Sequence, residues 1–184
     1  MTLSEYQVVS GRYEAPGMDR EQRLRHSVCG LASEVCELIE DWLFGYTSVE
    51  LVDEAGDVCW FMARVCTVRG LNMSVLAADE DAAYNVRKYG AERSLIGALG
   101  RVEGVFQKEL TGRPVSDAEI VVNLRLMLCA IAYLCGAEGR CMSKVVEKIL
   151  EKNIEKLKVR YPDGFTVARA LNRDRDAEAK VFGA

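Results

Sequence analysis

The stretches GLASEVCELIEDWLF at 30–44 and LVDEAGDVCWFMARV at 51–65 decide the fold. In the first, Leu31, Val35, Leu38, Ile39 and Trp42 recur at intervals of three and four, and Leu51, Ala55, Val58, Phe61, Met62 and Val65 repeat that spacing in the second. Apolar residues at this period form a stripe along one face of an α-helix. Gly45-Tyr46 breaks the pattern between them, and Thr47-Ser48-Val49-Glu50 then reads as a capping box, in which the Thr47 and Glu50 side chains satisfy exposed backbone donors of a new helix. Gly70 is placed to end that helix. Pro16, Pro114 and Pro162 fall at boundaries between periodic segments, which leaves room for long helices. No stretch alternates with period two between hairpin turns, so the sequence predicts an all-α, multi-helix bundle.

The same two stretches carry the acidic residues. Glu34 and Glu37 stand at i and i+3, on one helix face about a turn apart, and Glu54 and Asp57 repeat that spacing on the next helix. If the helices form a hairpin about Gly45, the two pairs face each other across a groove. Four convergent anions in a partly dry site repel, and hard cations such as Mg²⁺, or Mn²⁺ in its place, relieve this by taking oxygen ligands. Magnesium keeps waters and binds phosphate oxygens, so the cluster can hold a triphosphate without a large basic surface. A lone ExxE is usually a solvated face, but two such pairs opposed on apolar helices make that reading harder to sustain.

Composition narrows the class further. The 184 residues are 49% hydrophobic, enough to bury a substantial core. The seven cysteines are odd in number and form no CxxC pair, and no secretory leader is evident, so a reducing cytoplasmic location is expected. Cys29 and Cys36, like Cys59 and Cys66, lie seven apart and are expected to pack as small apolar groups. No apolar run is read as long enough for a membrane span, and the formal charge of −4 argues against a nucleic-acid polymer as partner.

Shifting the sequence by 69 residues aligns Thr47 and Glu50 with Ser116 and Glu119, a second candidate capping box. In the same register Ala63, Cys66, Gly70, Met73 and Ser74 fall on Ala132, Cys135, Gly139, Met142 and Ser143, and Glu34 falls on Glu103. A shift of 68 brings Asn85 and Lys88 onto Asn153 and Lys156. These matches suggest one domain over 1–184 built from pseudo-repeated units, about 19–90 and 91–160, with a tail over 161–184. In that register Glu37, Glu54 and Asp57 meet Phe106, Asn123 and Leu126, so the second unit is expected to lack the acidic site.

GLASEVCELIE, the sixteen residues between Glu37 and Glu54, and ELVDEAGDVCWFMA resemble the core of the MazG-like all-α nucleoside triphosphate pyrophosphohydrolases. The opening LSEYQ and the closing NIEKLKVRYPDGFTVARALNRD are similar to flanks of a small single-domain branch, and the matching blocks span about half of the chain. The resemblance implies Mg²⁺-dependent attack of water on the α-phosphorus of a (deoxy)nucleoside triphosphate, giving the monophosphate and pyrophosphate. It makes Glu34, Glu37, Glu54 and Asp57 the metal ligands. Asn153, Lys156 and Arg160 fall on an NxxKxxxR stretch similar to a phosphate- or sugar-binding end of the family's site. Two departures stand out: Ser33 occupies a position where the family often has a further glutamate, and the segment from Ala91 to Cys141 delays the closing motif. The repeat also leaves two candidates for the substrate-binding motif, Asn85 with Lys88 or Asn153 with Lys156.

Phosphoryl transfer asks mainly for positioning and charge neutralisation. Either Glu34 or Glu37 could orient or deprotonate the attacking water. Lys156 and Arg160 share a helix face, and either hold a phosphate tail or form a solvated basic face paired with Glu155 and Glu151. His26, the single histidine, is open to a base contact or to packing at a helix start. Trp42, Phe44 and Tyr46 near the turn are open to base stacking or to core and interface packing, and Trp60 and Phe61 follow the second acidic pair. Helical units of this kind usually complete their cores at symmetric interfaces, so a homo-oligomer, dimer or tetramer, is expected. The competing class is a non-catalytic helical oligomerisation or nucleotide-binding module. Related enzymes act on dUTP or dCTP or trim a pool during phage replication, but residue spacing does not select the base.

Overall fold

The computed structural model describes residues 1–137 and 141–183. They form α1 (Leu3–Ser10), α2 (Arg20–Leu43), α3 (Ser48–Val68), α4 (Glu80–Tyr89), α5 (Ala91–Leu110), α6 (Asp117–Ala132), α7 (Met142–Arg160), α8 (Val167–Leu171) and α9 (Arg175–Phe182). No strand occurs among the described residues. The fold is an all-α bundle.

The centre is the α2–α3 hairpin. Leu31, Val35 and Leu38 of α2 meet Leu51, Ala55, Val58 and Met62 of α3, each at most 5% exposed. Burying a side chain of this size stabilises the fold by about 1.5–3 kcal/mol. The Thr47–Glu50 capping box is present: Thr47 Oγ1 accepts from the Glu50 amide, and the Glu50 carboxylate accepts from the Thr47 amide at 2.7 Å. Gly45 stands just past α2 and Gly70 just past α3, where Leu71 N–H returns to Cys66 O at 2.8 Å.

Helices α5 and α6 make a second hairpin, α4 packs on both, and α7 crosses α3, with α9 laid against α7. A shift of 69 residues carries most of α2 onto α5 and the start of α3 onto the start of α6. Gly139, the repeat partner of Gly70, lies outside the described residues. The second capping box does not form. Ser116 occupies the N-cap of α6, but its side chain makes no capping bond, and the Glu119 carboxylate that would complete the box lies 3.8 Å from Lys108 instead.

Two other expectations are corrected. Cys59 and Cys66 are buried, but Cys29 and Cys36 are exposed on the outer face of α2, because the core stripe there runs through Leu24, Leu31, Val35 and Leu38 instead. An apolar helix long enough to cross a membrane also exists: α6 with the wide turn after it, Asp117–Ala137, has the length and composition, and 67% of its apolar 18-residue stretch is buried in the bundle. Wrapped on several sides by other helices, it is apolar nearly all round, the pattern of a central core helix.

Candidate functional site: an acidic cleft with an aromatic wall

Helix packing brings three of the four predicted carboxylates together. One oxygen from each of Glu34 on α2 and Glu54 and Asp57 on α3 lies within 4.8 Å of the others. Burial pushes the Glu34 carboxyl up to about 8, with repulsion from Asp57, Glu37 and Glu54 adding to it. Glu54 rises to about 7 by burial and the Asp57 charge, with Lys156 opposing. Glu37 sits at the rim instead: it is exposed and accepts from Ser33 Oγ at 3.2 Å, one turn along α2 from Glu34.

Helix α7 supplies the third side. Asn153 Nδ2 donates to Asp57 Oδ1 at 2.9 Å, and Lys156 Nζ donates to Asp57 Oδ2 at 2.7 Å and to Asp53. Both α7 side chains are 1% exposed, so Lys156 is no part of a solvated basic face. Burial works against its ammonium, but Asp57 and Asp53 outweigh it and hold the Lys156 pKa above its ordinary value. The acids proposed as its surface partners are engaged elsewhere, Glu151 with the chain's amino terminus and Glu155 with Lys152. Such close approach requires Gly56, where an added Cβ would stand 2.8 Å from Asn153 Cβ. Asn153 is fixed in turn by Tyr6, fully buried on α1, whose hydroxyl donates to Asn153 Oδ1 at 2.7 Å.

Of the two NxxK motifs, the fold therefore takes Asn153–Lys156 to the acidic cluster. Asn85 and Lys88 do not reach it. Asn85 Nδ2 donates to Asp81 O of its own helix, and Lys88 is exposed over the Tyr84 and Tyr89 rings, because α4 packs on α5 and α6.

Beside the cluster opens a cavity of about 200 Å³, lined by Glu34, Asp57 and Arg160 and walled by Tyr13, Trp60, Phe61, Tyr161 and Phe165, with His26 at its edge. Trp60 and Phe61 meet edge to face at 4.8 Å between ring centroids, and His26 lies 5.4 Å from Phe61. Phe61 seats directly on Gly30, where a Cβ would fall 2.1 Å from the ring. The Trp60 indole N–H donates to Ser10 O at 3.2 Å, and the buried Arg64 guanidinium lies 5.4 Å from the indole centroid while donating to Gln7 O and Ser10 Oγ. The wall is thus set before any ligand arrives.

The aromatic group at the hairpin turn, open from the sequence to base stacking or to core and interface packing, lies elsewhere. Phe44 and Tyr46 are 74% and 47% exposed there, and Trp42 lines a separate cavity with Arg87 and Tyr133. Ten residues of helix separate Phe44 from Glu34, about 15 Å along the axis. The antiparallel hairpin places Trp60 and Phe61, past Asp57, beside His26 and Gly30, before Glu34, so the cavity opens away from the turn. Asp53, Tyr6, Tyr13, Tyr161 and Phe165 were not foreseen. Asp53 alone carried a local signal, as a second carboxylate at i−4 from Asp57.

The donor set fits a hard divalent cation: all three convergent groups offer carboxylate oxygens, and burial together with the neighbouring negative charges raises the Glu34 and Glu54 pKa values, a cost that such an ion would relieve. Lys156 and Asn153 each use one lone pair on Asp57, leaving further lone pairs on both oxygens. No second group of three metal-capable side chains occurs among the described residues. At the repeat-related positions Phe106 is buried, Asn123 donates to Glu119 O of its own helix at 2.7 Å, and Glu103 is exposed.

Fold and site together define an all-α bundle with one carboxylate-lined, aromatic-walled cleft. Nothing among the protein-family models, the curated proteins or the solved structures matches this chain.

Proposed function

We propose that the protein is a metal-dependent nucleotide pyrophosphohydrolase of the MazG-like type, converting a (deoxy)nucleoside triphosphate and water to the monophosphate and pyrophosphate. The observation that supports it most is the convergence of Glu34, Glu54 and Asp57 beside a cavity, lined by Glu34 and Asp57, that pairs an arginine with five aromatic rings. Such a cavity offers a flat apolar ligand stacking surfaces and gives its anionic end a counter-charge.

In this reading Glu34, Glu54 and Asp57 hold Mg²⁺, or Mn²⁺ in its place, with Glu37 within a turn as a further candidate. When bound, the cation offsets phosphate charge and acidifies water. Asn153 and Lys156 hold Asp57 in register. Glu34 borders the cavity while Glu37 faces Ser33, so Glu34 is the better placed to take a proton from the attacking water. Arg160 offers a fixed positive charge where the polyphosphate leaves the cluster, and Trp60, Phe61, Tyr161 and Phe165 surround the base. His26 is left the role of an edge contact.

The test is a panel of ribo- and deoxynucleoside triphosphates with Mg²⁺, scoring pyrophosphate against orthophosphate. Pyrophosphate release abolished by chelation is expected. Full turnover with excess chelator, or no turnover of any nucleotide, would overturn the reading.

A further inference from the structure

The C-terminal segment reaches back to the cleft through one carboxylate. Arg160, the last residue of α7, lines the cavity, yet among the described residues its side-chain hydrogen bonds run away along the chain to Glu178 on α9. Nε donates to one Glu178 oxygen at 3.0 Å and Nη2 to the other at 2.6 Å, a fork-to-fork pair that leaves Nη1 without a hydrogen bond among the described residues. Glu178 is 4% exposed, and Arg173 donates to it as well, at 2.7 Å from the outer side. Helix α9 is tied down independently by Lys152 Nζ, which donates to Val181 O at 2.8 Å.

A free arginine side chain loses rotamer entropy when it grips an anion. Here the Glu178 pair already meets that cost and sets the guanidinium plane. Arg173 provides an internal contrast: it shares the same carboxylate but does not border the cavity.

We propose that Glu178 is a positioning residue, through which α9 holds the Arg160 guanidinium with its free edge toward the polyphosphate of the substrate; this rests on the pyrophosphohydrolase reading. Glu178 touches no substrate. Its effect passes through Arg160 and falls on binding, with the hydrolytic step unchanged.

The experiment measures KM, kcat and the Kd of an α,β-imido deoxynucleoside triphosphate with Mg²⁺, by calorimetry, on the full chain. Glu178→Gln keeps shape but loses the charge, and should raise KM and Kd about tenfold with kcat within about twofold. Arg160→Lys keeps the charge but loses the fork, and should raise Kd similarly, which preserves the test if Glu178→Gln fails to fold. In an Arg160→Ala background Glu178→Gln should add less than about twofold, as for residues acting as one unit. Arg173→Ala should lower Tm and leave Kd unchanged. Unchanged Kd in both Glu178→Gln and Arg160→Lys, a full Glu178→Gln effect without Arg160, or an equal effect from Arg173→Ala would each overturn the positioning role while leaving the pyrophosphohydrolase reading intact. A wild-type protein that neither binds nor cleaves any triphosphate would remove both.

Discussion

Asp57 accepts from Asn153 with one oxygen and from Lys156 with the other, so its orientation is set from a helix nearly a hundred residues away. Lys156→Met would leave Asp53 and Asp57 without a counter-charge beside Glu34 and Glu54. Breaking a buried pair in this way typically costs ~3–5 kcal/mol, and the partial exposure of both aspartates places this one at or below the low end. We expect turnover to fall by at least about a hundredfold and added Mg²⁺ to recover part of the lost thermal stability; a Lys156→Met protein with wild-type turnover would contradict the arrangement. Glu178 gives the pH-dependent counterpart. Burial alone would raise its pKa, but hydrogen bonds from Arg160 and Arg173 outweigh burial and hold it at about 2, against an ordinary 4.5. A depressed folded-state value means stability that is complete above about 4.5 and lost as pH falls toward 2. The Tm gap between wild type and Glu178→Gln should therefore be constant from pH 5 to 8 and close below pH 4 in thermal melts, and a gap that persists at pH 2.5 would refute the ion-pair account.

Among the elements, α3 carries the most constraints, since its faces meet α2, α7 and the N-terminal segment. Gly56→Ala would drive a Cβ into Asn153 Cβ, which is not a flexible side-chain end, so α7 must retreat from α3. Overpacking of this kind costs ~1–3 kcal/mol, and we expect a lower Tm together with weakened metal binding by calorimetry. The two predicted helix starts separate in the same way. Thr47→Ala should destabilise by about 1 kcal/mol, because a real capping bond is lost, and Ser116→Ala should change stability by less than about half of that. Equal losses in denaturant titrations would mean that Ser116 caps α6 in solution.

For the molecule as a whole, the acidic site lies in the first hairpin and the second hairpin is packed without one. Phe106→Ala should destabilise the fold by ~3–5 kcal/mol while leaving metal-dependent turnover per folded molecule near wild type, and Glu103→Gln should change neither. Loss of turnover in Glu103→Gln to the extent seen in Glu34→Gln would require a composite site instead. Between the end of α2 and the start of α5, Leu43, Phe44 and Ile96 are 70%, 74% and 53% exposed beside a groove that includes Val35 and Ile39. Contiguous apolar surface of this kind favours self-association. Light scattering should find a dimer or larger species, shifted toward monomer by Phe44→Glu.

By itself the sequence determined the helical class, the α2–α3 hairpin, the Thr47 cap and two facing acidic pairs of whose four members Glu34, Glu54 and Asp57 converge while Glu37 stays at the rim, because each follows from spacing along one helix or across one short turn, where 3.6 residues per turn fixes which side chains share a face. Only the tertiary structure decided which NxxK motif meets the acids, that Asp53 and Tyr6 join them, that Trp60 and Phe61 form the cavity wall in place of Phe44 and Tyr46, and that Glu178 holds Arg160. Those contacts join residues from 18 to 147 positions apart, and no period relates them. They exist because burying the apolar faces of α3 and α7 against each other also brings their polar neighbours out of water, where each buried group must find a partner.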